Sequence, residues 1–104
     1  MTLKISTLST EYVKARVSAT INGLAVDISG DTVTVAWKRP GDAPVGGDFS
    51  SGTWETDATT SPTTYLARRL LSAGGLAVGQ WVMWVKVVHG SETMVRQAGV
   101  FEVV

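Results

Sequence analysis

The stretch from Tyr12 to Ile28 constrains this chain most. Val13, Ala15, Val17, Ala19 and Ile21 alternate with Lys14, Arg16, Ser18 and Thr20, and a period of two marks a strand with one buried face. Asn22-Gly23 follows at once. That pair suits a type I′ turn, whose central residues both need positive φ. A two-residue turn here predicts Ile21 opposite Leu24, Ala19 opposite Val26 and Val17 opposite Ile28, all apolar and all on one face. The other face pairs Thr20 with Ala25 and Ser18 with Asp27. Turn chemistry and hydrophobic pattern choose the same register, so the segment specifies a hairpin and, through it, a β fold.

The remaining chain reads the same way. Residues 1–10 are polar and rich in Ser and Thr, and are expected to form a flexible N-terminal arm ahead of a domain spanning 11–104. Gly30-Asp31 turns into a strand from Thr32 to Lys38, with Val33, Val35 and Trp37 on one face. Arg39 to Gly47, with its prolines and glycines, is a loop. A short strand is expected around Trp54, then a second loop from Asp57 to Pro62. Thr63 to Leu71 suits a strand ending in an irregular turn, although Leu66, Arg69 and Leu70 would also fit one helical turn. Trp81 to His89 is apolar on both faces apart from Lys86, as a central sandwich strand should be. Gly90-Ser91 fits a type II′ hairpin, and Thr93–Gln97 and Val100–Val104 complete the set. Seven or eight short strands with turns about every ten residues predict an all-β sandwich or barrel.

The totals narrow the function. The chain has 104 residues, enough for one domain, with 44% hydrophobic and 17% charged residues. The formal net charge is zero. A protein that grips phosphates needs a positive field, so no nucleic-acid partner is expected. There is no cysteine, hence no disulfide and no thiolate metal site. The start of the chain carries no apolar secretory signal, and the longest uncharged run, Leu70 to Val85, is too short to span a bilayer. No membrane partner is expected.

Catalytic candidates are weak. His89 is the only imidazole and adjoins the Gly90-Ser91 turn, where a solvated hairpin residue is the simpler reading than a base. Glu55 and Asp57 share a strand face, but nothing around them separates their protonation behaviour as two-carboxylate catalysis requires. Asp27, Asp31, Asp42 and Asp48 sit at turns, in a spacing unlike a calcium loop. Gly46-Gly47 and Gly74-Gly75 lack the Lys and helix of a phosphate loop. The expectation is a protein that is not an enzyme and holds no cofactor or metal.

Two motifs carry a resemblance. Leu76-Ala77-Val78-Gly79-Gln80-Trp81, followed by the strand through Val88, resembles the corner of immunoglobulin-like and fibronectin-type sandwiches. There an aromatic opens a long strand after a Leu and a Gly; it is usually a Tyr whose hydroxyl bonds to upstream backbone, whereas here it is Trp81. The run Asp27-Ile28-Ser29-Gly30-Asp31-Thr32-Val33 to Trp37, then Leu76 to Trp81, then Phe101-Glu102-Val103-Val104, is similar to the immunoglobulin-like module at the N-terminus of siphophage baseplate upper proteins. The resemblance spans roughly 12–104 and implies an immunoglobulin-like antiparallel β-sandwich. It also implies a virion location and structural work among tailed-phage proteins. Because the chain stops where that module stops, a capsid decoration or head–tail accessory subunit is expected. A tail or baseplate component and a free-standing immunoglobulin- or fibronectin-type binding module are the alternatives.

The expected partners are other virion proteins, major capsid or neck and tail proteins, with copies of the chain associating in the assembly. Trp54 lies in a polar, Gly-flanked stretch, so it reads either as core or as an exposed anchor, and Phe49 could join it. Asp42, Asp48, Glu55 and Asp57 stand in a segment without bases, while Arg68, Arg69 and Lys86 stand in one without acids. A head-to-tail contact could match the two segments, with Arg68 and Arg69 on the basic side; chance clustering on a solvated surface is the simpler reading.

Overall fold

A computed structural model of the chain describes residues 3–18, 20–21, 24–25, 27–57, 59 and 64–104. Its strands are β1 (Leu3–Ile5), β2 (Glu11–Val17), β3 (Thr20–Ile21), β4 (Leu24–Ala25), β5 (Thr32–Lys38), β6 (Ser50–Ser51), β7 (Thr53–Asp57), β8 (Thr64–Leu71), β9 (Gly79–His89) and β10 (Glu92–Val103). A five-stranded sheet in the order β1-β10-β9-β5-β6 packs on a three-stranded sheet, β2-β8-β7. β3 and β4 form a separate hairpin. The pairings are antiparallel except β1 with β10. This is an immunoglobulin-like β-sandwich: β2, β8 and β7 stand where strands B, E and D do, and β5, β9 and β10 where C, F and G do.

Period two does the building. In the larger sheet, Val33, Val35 and Trp37 lie opposite Val87, Val85 and Met83 on the inner face. In the smaller, Val13, Ala15 and Val17 lie opposite Arg69, Ala67 and Tyr65. The core fills the space between, with Ile5, Leu71, Phe101 and Val103 closing one end. Trp37 meets Phe101 edge to face at 5.3 Å. The chain crosses from one sheet to the other at Gly52, between β6 and β7. A Cβ there would stand 3.0 Å from the Arg68 carbonyl oxygen and 3.2 Å from a Val35 methyl, so any larger residue would press the two sheets apart by a few tenths of an ångström.

Three expectations are corrected. The N-terminal residues are not all a flexible arm, because Leu3–Ile5 joins the sandwich as β1. Ile5 is 1% exposed, and Val104 N–H donates to its carbonyl at 2.8 Å. Three residues carry too short an alternation to stand out among Ser and Thr. The hairpin around Asn22-Gly23 is also shorter than expected. Ile21 does lie opposite Leu24 and Thr20 opposite Ala25, while the Asn22-Gly23 turn and the Ala19–Val26 pair lie outside the described residues. Val17, however, pairs with Tyr65 as β2 runs its full length along β8, and the other edge of β2 takes no strand among the described residues, Ile28 included. Finally, the last two strands are one. β10 continues past Ala98, where a bulge sets Gln97 opposite Trp84 and Gly99 opposite Met83.

Candidate protein-binding surface

The four residues singled out as contacts are not brought together. Trp54 turns inward from β7, opposite Ala67, and packs against the core. Its ring meets Tyr65 edge to face at 6.5 Å, and its Nε1–H donates to the Asp31 carbonyl at 2.8 Å. This is the core reading, not the anchor. Arg69 also turns inward. Its Nη1 donates 2.9 Å across the sandwich to the Val35 carbonyl, and the guanidinium lies 5.0 Å from the Trp37 ring centre. Burial pulls its pKa below the ordinary arginine value. Arg68 is on the opposite, outer face, 4.5 Å over the Tyr12 ring and bonded to Thr53 Oγ1 at 2.9 Å. It shares Glu55 with Lys14, at 3.7 Å and 2.7 Å. Phe49 stands just before β6, beside the other sheet, with Lys86 Nζ 5.0 Å from its ring centre.

Two polar knots fix the ends of the sandwich. Asp31 binds His89 Nδ1 through both carboxylate oxygens, at 2.8 and 2.9 Å, and its N–H donates to the Ile28 carbonyl at 3.0 Å. Together with the Trp54 bond this ties the loop before β5 to β7 and β9. His89 is therefore a structural partner of Asp31 while its side chain stays 39% exposed. At the other end, Trp81 Nε1–H donates to the Ala77 carbonyl at 2.9 Å. An indole thus makes the upstream backbone bond that a tyrosine hydroxyl makes in related corners. Arg39 stacks 4.1 Å over Trp81 and donates to the Gln80 and Val78 carbonyls at 3.1 and 3.4 Å. Gly79 adopts φ +132°, and a Cβ there would collide with the Arg39 guanidinium.

The turn aspartates are occupied locally. The Ser29 hydroxyl and N–H hold the Asp27 carboxyl below its ordinary range. The Val45 N–H does the same for Asp48, with Lys38 assisting at 3.3 Å. Among the described residues no group of three or more His, Cys, Asp or Glu is placed to hold a metal.

What sequence reasoning missed lies on the outer face of the five-stranded sheet. The even positions of β9 turn outward; Val82 is buried there, as is Ala36 of β5 opposite Trp84. The loop after β5 lies over them and leaves a cavity of about 430 Å³ whose lining includes Pro40, Ala43, Val82, Trp84 and Val100. Trp84 Nε1 is buried without an acceptor among the described residues. Beside it Val100 is 46% exposed and Val95 38%. The signal was present: β9 is apolar on both faces, and Trp81 and Trp84 point to opposite sides, so one of them had to face a loop or a partner.

The chain matches no family model, no curated protein and no solved structure.

Proposed function

We propose that this chain is a non-enzymatic protein-binding subunit of a tailed-phage particle, a capsid decoration or head–tail accessory protein. Two kinds of support carry unequal parts of the reading. The virion setting comes from the sequence resemblance, motif by motif. The protein-binding role comes from the apolar cavity around Trp84 on the outer sheet face, which is the observation that carries it.

A pocket of this size, with an apolar floor and a polar rim of Gln80, Gln97 and Asp42, suits one large apolar side chain of a neighbouring protein. Burying such a side chain contributes about 1.5–3 kcal/mol. One such contact is weak alone, but repeated copies on a shell raise the effective affinity without new contacts. The unpaired Trp84 N–H adds a donor that a partner carbonyl would satisfy.

The test is co-sedimentation of the purified protein with phage shells. Val100→Asp places a carboxylate at the lip of the cavity, where Val100 is 46% exposed, and should weaken binding about tenfold or more in protein shown to be folded by circular dichroism. Binding to shells at a stoichiometry tied to capsid symmetry, lost in Val100→Asp, supports the reading. Binding only to isolated neck or tail parts moves the protein along the particle. Binding to none of them removes the virion setting.

A further inference from the structure

The far edge of β10 is open along half its length. β1 pairs with it only at Phe101, Glu102 and Val103. Among the described residues no strand lies beside Glu92–Gln97 on that side. The tight turn at Gly90-Ser91 sets Glu92 opposite His89, and residues that flank a two-residue hairpin loop exchange both hydrogen bonds. Bonding then alternates along an antiparallel pair. Glu92, Met94 and Arg96 direct their backbone groups to β9, whereas Thr93, Val95 and Gln97 direct theirs outward from the edge. One contact agrees with this: the Val95 carbonyl accepts a bond from Arg96 Nη1 at 3.1 Å.

Beneath this edge the sandwich itself is open. A cavity of about 340 Å³ lies between β2 and β10, with Val17, Val85, Val87 and Met94 in its wall and Arg16 and Arg96 at its rim. A strand added to the edge would turn alternate side chains into that cavity. The strand that fits must bring an apolar residue, with a carboxylate two positions away for the arginines.

We propose that the added strand is β10 of a second copy, paired antiparallel about a two-fold axis at Val95. The register follows from the edge. Val95 meets Val95 of the second copy, and Thr93 meets Gln97, each a pair that exchanges both backbone bonds. On the inner side Arg96 meets Met94 of the second copy, which enters the cavity. Glu92 of the second copy is then diagonal to Arg96, a separation that long side chains cover. Symmetry repeats the ion pair in the other direction. The second copy's Gly90-Ser91 turn leaves the edge beside Gly99 and Val100, just before β1 begins opposite Phe101. In the single molecule Arg96 covers the Val95 carbonyl, a charged side chain guarding an open edge. In the pair it turns to the carboxylate.

This pairing does not depend on what the outer face binds, and one set of variants separates the two. Sedimentation velocity of the full chain over a dilution series should show a reversible monomer–dimer equilibrium. Arg96→Glu and Glu92→Arg, both at exposed positions, should each raise the dissociation constant about tenfold or more, and the double variant should recover most of that loss. Ala43→Asp, at the exposed loop side of the outer cavity and away from the β10 edge, should leave the dimer constant unchanged. A chain that stays monomeric at its highest soluble concentration overturns the proposal. So does a dimer indifferent to the charge reversals.

Discussion

Replacing Arg69 with Met tests whether the arginine inside the sandwich holds the two sheets together. Met keeps the length and apolar stem and removes the guanidinium. The bond to the Val35 carbonyl, 2.9 Å long, is charge-assisted and contributes about 1.5–3 kcal/mol. The face of Trp37 at 5.0 Å adds roughly 0.5–1 kcal/mol. Against these stands the desolvation that lowers the Arg69 pKa, on the order of 1 kcal/mol for a group only partly buried. Side-chain entropy roughly cancels, since Arg and Met lose similar amounts on burial. The net expectation is a loss of about 1–3 kcal/mol, or roughly 4–24 °C in Tm for a domain of this size. Arg69→Ala should cost roughly 1–2 kcal/mol more, because the stem's packing goes as well. Urea and thermal unfolding measure both. A Met variant as stable as the parent, or more so, would refute the reasoning and show the buried charge to be a net burden.

Two further outcomes follow from the corner and the turns. Trp81→Phe keeps a ring under Arg39 and removes the donor to Ala77, so it should lower stability by about 0.5–1.5 kcal/mol in urea unfolding; Trp81→Tyr should lose less, since its hydroxyl can restore an upstream bond. Asp27 and Asp48 are held below their ordinary carboxyl range. Their contribution is therefore complete above the unfolded value, about pH 3.9, and is lost as pH falls through the lower folded values. Acid titration followed by circular dichroism should show Asp27→Asn and Asp48→Asn flattening that loss, and an unaltered acid profile in both variants would count against it.

Where the chain states its pattern twice, the fold was legible. β9 with β10 across Gly90-Ser91, and Thr20-Ile21 with Leu24-Ala25, pair in the register that turn chemistry requires. β1 was not legible because three residues do not establish a period. Neither was the partner of β2, since the pairing of β2 with β8 joins segments about fifty residues apart and local turn chemistry says nothing about it. Trp54 stayed open between core and anchor because its apolar neighbours come from β8 and not from its own segment. The pair Arg68-Arg69 held an unread signal. Adjacent strand residues face opposite ways, so no register of β8 keeps both charges out of the sandwich. The outer cavity depends on a loop whose path no periodicity encodes.

The bulge at Ala98 has a bearing on how this chain can change length. Upstream of it the even residues of β10 face the core, and downstream the odd ones do, as the partners Val85 for Arg96 and Trp81 for Phe101 record. Deleting Ala98 would straighten the strand and leave each remaining side chain on its present side. Deleting a neighbour without moving the bulge would carry one stretch of β10 to the wrong face. Ala98 is thus the place where natural or designed shortening of this strand is tolerated, and where related chains of differing length can be brought into line without disturbing either the core below it or the open edge above.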